Sequence, residues 1–168
     1  MPDRFVSAPL ELPSHDPEAD FVRAELQFHG VDHSGLSYEA RIFLNRPEAD
    51  AEMQGSDEAG YAGSFHIFGH GGCLGDVGHC DVPSEPPHAN DLRLPHPLTP
   101  DTKVVIITEA LKRLRAEGAA SVTVTVVAHV YDPGELPVGR DLAEPLLFDN
   151  VRLVTYESPP AGPAPAHG

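Results

Sequence analysis

The chain has 168 residues, with 26 Asp and Glu against 11 Lys and Arg and a formal net charge of −15, a length that suits one domain with its own core. A surface this acidic repels phosphate backbones, which excludes nucleic acid and anionic membrane surfaces as partners. No apolar run approaches the ~20 residues of a membrane span, and the opening MPDRFVSAPLELPSHDPEAD has no apolar signal core, so the expected location is cytoplasmic unless a partner carries the protein out.

Residues 1–20 are polar and proline-bearing and read as an N-terminal arm. Residues 21–31 alternate, with Val22, Ala24, Leu26 and Phe28 on one face and Arg23, Glu25, Gln27 and His29 on the other, the two-residue period of a half-buried strand. Residues 32–35 turn the chain. Residues 38–45 alternate again through Tyr38, Ala40, Ile42 and Leu44, and the two strands are expected to pair antiparallel. Residues 46–60 are acidic and irregular, a solvated loop. Residues 63–68 form a third strand, with Phe65 and Ile67 on one side and Ser64, His66 and Phe68 on the other.

Residues 69–100 show no periodicity and many Gly, Pro, His and Asp, and so long a loop in a compact domain is usually functional. KVVIIT at 103–108 is a β-branched strand. EALKRLRAE at 109–117 is rich in helix formers, with Thr108 as N-cap, Gly118 as stop, and Leu111 and Leu114 toward the core. SVTVTVVAHVY at 121–131 is the clearest strand, residues 132–145 are a loop, and residues 146–156 form a last strand. The Pro/Ala/Gly-rich end, residues 158–168, is expected to be disordered. The pattern gives a mostly β fold, an antiparallel β-sandwich or barrel over residues 21–157 with one short helix and a long Gly/His/Cys-rich loop. An exposed edge strand would let two copies pair, but no feature fixes the oligomer.

One segment concentrates chemistry. HIFGHGGCLGDVGHC, residues 66–80, holds His66, His70, Cys73, His79 and Cys80. Imidazole and thiolate are the ligands that suit copper and zinc, and thiolate favours Cu(I). The glycines at 69, 71, 72, 75 and 78 let the loop fold back on itself. Geometry limits the site: on an extended strand His66 and His70 share a face but stand about 13 Å apart, so they meet at one ion only if Gly69 bends the chain. His79 and Cys80 are adjacent and would point to opposite sides. Three or four of the five are expected to act together, led by Cys73, Cys80 and His70. The plain alternative is a Cys73–Cys80 disulfide that staples a glycine-rich loop, because the spacing matches no standard zinc pattern. His29 and His33 repeat the four-residue spacing, which reads as coincidence. His129 reads as a strand residue, and His88 and His96 as reserve ligands. No nucleophile elbow, phosphate-binding glycine loop or ordered calcium loop is present.

YEARIFLNRPEAD followed by GYAGSFHIFGHGGCLGDVGHCDVP resembles the C-terminal β-sandwich domain of tyrosinase- and haemocyanin-type dicopper proteins, in which a strand leads into an A-G-S/T-F-x-I/V-hydrophobic-G segment, here residues 62–69. SVTVTVVAHVYD and LLFDNVRLVTYE resemble the strands that close the same sandwich. The sequence supplies no two sets of three helix-borne histidines, so it is not a complete tyrosinase. In some fungal tyrosinases this domain covers the active site and carries cysteines implicated in copper loading. The resemblance implies the same part for Cys73 and Cys80, although their spacing departs from C-x-x-C. Three readings follow: an accessory copper module that caps or loads a separate dicopper oxidase, a structural sandwich stapled by a disulfide, and a small mononuclear copper or zinc enzyme using His66, His70 and His79.

Overall fold

The computed structural model of the chain describes residues 4–12, 21–53, 55, 60–70, 99–130 and 145–157. Among these residues lie nine strands and one helix. In chain order they are β1 (Arg4–Val6), β2 (Leu10–Glu11), β3 (Phe21–Val31), β4 (Tyr38–Leu44), β5 (Tyr61–Ile67), β6 (Asp101–Ile106), α1 (Thr108–Ala116), β7 (Ser121–Val122), β8 (Val124–Val130) and β9 (Asn150–Glu157). They form a β-sandwich. One sheet runs β1-β8-β4-β5, the other runs β6-β3-β9, and β2 and β7 make a short third ribbon. Every pairing is antiparallel.

The two-residue period places the core. Leu26 and Phe28 from β3, Ala40 and Ile42 from β4, and Val124 and Val126 from β8 are fully buried in one cluster. Each Val, Leu, Ile or Phe buried this way contributes about 1.5–3 kcal/mol. Phe28 ties the two sheets together, its ring 5.0 Å from that of Phe65 on β5 and 5.4 Å from that of Phe148.

Two expectations about β3 and β4 are corrected. The two strands do not pair with each other: β3 pairs β6 and β9, while β4 pairs β5 and β8. The link at 32–37 therefore crosses from one sheet to the other, and the apolar faces of β3 and β4 meet across the core. Val22, expected inside, is 55 % exposed, and Phe21 is buried instead. The cause is a bulge. Phe21 stands opposite Glu157 and Arg23 opposite Tyr156, so β3 carries one extra residue and its facing shifts there. Lys112 and Arg115 of α1 then cover the Phe21 ring.

The helix forms where helix formers cluster, with Leu111 buried, Glu109 in the first turn and Arg113 and Arg115 in the last. Those charges suit the dipole at each end. Thr108 is not the cap. It is the first helical residue, and its hydroxyl accepts from the Ala24 N–H at 3.0 Å, while Ile107 holds the cap position. The Ile107 N–H donates to the Ala24 carbonyl at 2.9 Å, so the helix start is fastened to β3. Gly118 does end the helix, at φ +85°. Its N–H donates to the Arg115 carbonyl and that of Ala119 to the Leu114 carbonyl, each at 3.0 Å, the paired closure of a Schellman motif.

Residues 4–12, expected as an arm, lie on the sheets. β1 pairs β8 and β2 pairs β7, and Phe5, Leu10 and Leu12 pack on the core. Alternation over two or three residues is too short to read as a strand. The long strand expected over 121–131 is divided at Thr123, whose N–H donates to Asn45 Oδ1 and whose carbonyl accepts from the Asn45 N–H, both at 2.9 Å. Part of the loop expected to be solvated is cover: Ala49 buries Phe43 and Val127 on the outer face of β4 and β8, with Met53 and Tyr61 beside them. The last strand begins at Asn150, not at 146, because Leu146 takes a left-handed φ of 66°. Residues 13–20 and the tail at 158–168 lie outside the described residues. No helix among the described residues is long and apolar enough to cross a membrane.

Candidate functional site

Three pieces of backbone meet at one end of the sandwich: the link at 32–37, residues 68–70 leaving β5, and residues 99–101 entering β6. The link is shaped by Asp32, whose carboxylate accepts from the Ser34 N–H at 2.7 Å, the local turn that Asp favours. The Asp32 N–H donates to the Leu147 carbonyl at 2.9 Å. Gly69 then passes tightly over the link. Its N–H donates to Ser37 Oγ at 3.0 Å, and a Cβ at this position would fall 2.3 Å from the backbone of Gly35 and Leu36. Only glycine allows so close an approach.

His33 joins the three pieces. Its carbonyl accepts from the His70 backbone N–H at 3.0 Å and from the His70 ring Nδ1–H at 3.2 Å. Its own ring Nε2–H donates to the Thr99 carbonyl at 2.9 Å. Both residues that flank 71–98 are thus held to His33. The His33 and His70 rings lie edge to face with centroids 5.2 Å apart. Phe68 flanks His70 at 6.1 Å and is 82 % exposed.

Charge around this end is acidic. Asp101 stands opposite Val31, and Lys103, 2.5 Å from its carboxylate, holds that group below its ordinary pKa together with the Thr102 N–H, with His33 adding to the effect against partial burial. His29 lies nearby on β3. Its Nδ1 is 3.5 Å from the Thr102 hydroxyl, and its Nε2 is shielded, with no partner among the described residues.

The expected ligands divide. His66 sits on the outer face of β5 directly opposite Glu39, which is also opposite His129 on β8. Burial works against ionisation of Glu39, but the Arg41 guanidinium at 3.0 Å and the neighbouring His66 outweigh it and hold the carboxyl below its usual range. His70, four residues on, belongs to His33. The strand ends at Ile67 and the chain does change course at Gly69, but His66 and His70 keep different neighbours. Cys73, His79 and Cys80 lie outside the described residues, as do His88 and His96. Among the described residues, no group of three or more His, Cys, Asp or Glu is arranged to hold a metal ion.

Sequence reasoning missed His33. Its four-residue spacing from His29 reads as coincidence, and nothing local signals its partner, His70, 37 residues away.

No protein-family model and no curated protein matches this sequence. Among solved structures the chain is similar to a recombinantly expressed latent aurone synthase, a polyphenol oxidase. The match has a TM-score of 0.51 and 18 % identity, and spans 93 % of this chain but only 24 % of that one. The same enzyme co-crystallised with hexatungstotellurate(VI) and soaked in H2O2 matches with a TM-score of 0.51 and 19 % identity over the same shares. The sandwich fold expected from the strand motifs is therefore shared with a polyphenol oxidase, and the chain spans about a quarter of that oxidase's length.

Proposed function

We propose that the protein is a non-catalytic accessory module that binds copper through three or four of His66, His70, Cys73, His79 and Cys80, led by Cys73, Cys80 and His70, and that caps or loads copper into a separate dicopper oxidase. The observation that carries this reading is the fold: nearly the whole chain corresponds to about a quarter of a latent polyphenol oxidase. A unit of that size within a latent oxidase is suited to covering a reaction centre rather than supplying one. Soft thiolates with imidazoles hold Cu(I) and release it by ligand exchange, and zinc is the competing ion for the same donors. The exposed ring of Phe68, beside His70, gives a cap an apolar point of contact. The module is expected to act in the cytoplasm, or wherever its oxidase partner carries it.

Elemental analysis of the purified protein with a parallel thiol titration tests this, for wild type and for Cys73→Ser/Cys80→Ser. Near-stoichiometric copper in the wild type that is lost in the variant is the expected result. Absence of metal from both, with the wild-type thiols already blocked, would overturn the reading and leave a sandwich stapled by a disulfide.

A further inference from the structure

Among the described residues the two main sheets end in four edge strands, β1, β5, β6 and β9. Short length, bulges and charges are the devices that keep an edge from pairing with another chain. β1 is three residues long. β5 and β6 guard each other, because a Cβ on Gly63 of β5 would fall 2.7 Å from Val105 Cγ1 of β6. Each of them also has a register break in its pairing, and β6 carries the Lys103–Asp101 ion pair. β9 is guarded least. It has eight residues with no Pro or Gly, its register with β3 is unbroken from Arg23 to His29, and its far side has no strand neighbour among the described residues. We propose that β9 pairs antiparallel with β9 of a second copy about a two-fold axis at Val154, joining two three-stranded sheets into one of six strands. The dimer is a further property of the fold and does not depend on the copper reading.

The side chains select the register. Directly opposite residues in an antiparallel pair project to the same face, so outward residues must meet outward residues. Arg152, Val154 and Tyr156 lie opposite Gln27, Glu25 and Arg23 on the outer face of β3, while Val151 and Leu153 pack on the core. With the axis at Val154, that residue meets its own copy, and Arg152 meets Tyr156 of the second copy on both sides of the axis.

This contact is complementary. The Arg152 side chain is exposed and has no ion pair among the described residues. Tyr156 is 43 % exposed, and a guanidinium stacks on such a ring. The Tyr156 hydroxyl donates to the Glu25 carboxylate at 3.1 Å, so the ring offers a cation a negative setting.

The neighbouring registers fail. An axis at Leu153 sets Glu157 against Asp149 of the second copy, and an axis at Arg152 sets that residue against itself; like charges directly opposite are destabilising. An axis at Thr155 carries Arg152 past the end of the partner strand at Glu157. An axis between two residues opposes core-facing side chains to outward ones.

Sedimentation velocity of the full chain over a concentration series tests this. EDTA keeps metal from bridging chains, and about 0.15 M salt screens their mutual repulsion beyond about 8 Å. A reversible monomer–dimer equilibrium is expected. Val154→Lys, which places two cations face to face on the axis, and Arg152→Glu should each weaken the dimer at least about tenfold. Val104→Lys, on the outer face of the β6 edge, should leave it unchanged. Circular dichroism checks that each variant is folded. In a Cys73→Ser/Cys80→Ser background, Val154→Cys should be joined into a covalent dimer by a short bis-maleimide, and Val104→Cys should not. A chain that stays monomeric throughout the series, or a dimer that Val154→Lys leaves intact and that does not cross-link through Val154→Cys, would overturn the proposal.

Discussion

Tyr38 faces the core from β4 and is 2 % exposed. Burial pushes its phenol up to about 12, with the backbone at Leu146 working against the shift and the Asp32 carboxylate reinforcing it. The folded protein therefore holds this proton more tightly than the unfolded chain, whose phenol titrates near pH 10. The stability this represents is complete below about pH 10 and is lost as the pH rises toward 12, by about 2–3 kcal/mol in all. An absorbance titration of phenolate should show Tyr38 ionising late, with Tyr156, whose hydroxyl donates to the Glu25 carboxylate, also displaced upward. Tyr38→Phe is expected to remove that late step and to flatten the alkaline loss of stability. A Tyr38 phenolate signal that rises near pH 10 instead would mean that the phenol is not buried, since about 10 is the ordinary phenol value. His33 makes the complementary point at the same scale, because its importance comes from its carbonyl as much as from its ring.

At the scale of elements, the decisive contacts are those that bind an element end to a distant backbone. Gly69 is the tightest. An Ala there would drive its Cβ to 2.3 Å from the link at 35–36, where no flexible side chain can give way. Gly69→Ala is expected to cost about 1–3 kcal/mol, the range for forced overpacking, and to lower the urea midpoint with an unchanged slope. A variant as stable as wild type would show that the link and the end of β5 do not touch. The same example shows what a sequence conveys. Alternation over residues 21–31, 38–45 and 63–68 identifies most core-facing side chains of β3, β4 and β5, but not the shift at Val22 or the burial of Glu25 and Phe43 on the opposite faces. It does not identify strand partners, because a hairpin turn and a crossover between sheets draw on the same Asp, Ser and Gly residues. β3 and β4 are neighbours in sequence and opposite one another across the core. The histidine-rich run was legible as residue types. The His33–His70 pairing was not, since nothing in local spacing reports a contact across 37 positions.

At the scale of the molecule, the sandwich is closed by residues that read as dispensable. β1 is the edge of the four-stranded sheet, paired to β8 through Arg4, Phe5 and Val6. The Phe5 ring lies 4.8 Å from Phe148, which lies 5.4 Å from Phe28, so a line of rings runs from the first strand to the centre of the core. Edge-to-face pairs of this kind add about 0.5–1.5 kcal/mol each beyond the area they bury. The composition of residues 4–12, with its Pro, Ser and Glu, describes the outward side chains; Phe5, Leu10 and Leu12 are the inward ones. Phe5→Ala should therefore cost about 2 kcal/mol, less than a fully buried Phe because the ring is only half-buried, and lower the melting temperature by about 4–8 °C. Val6→Ala, whose side chain points outward and is 41 % exposed, should change it by less than about 2 °C. Thermal unfolding followed by circular dichroism compares the two. Equal melting temperatures for Phe5→Ala and wild type would return the segment to the role of an arm, whereas the expected difference makes the first strand part of the folded unit.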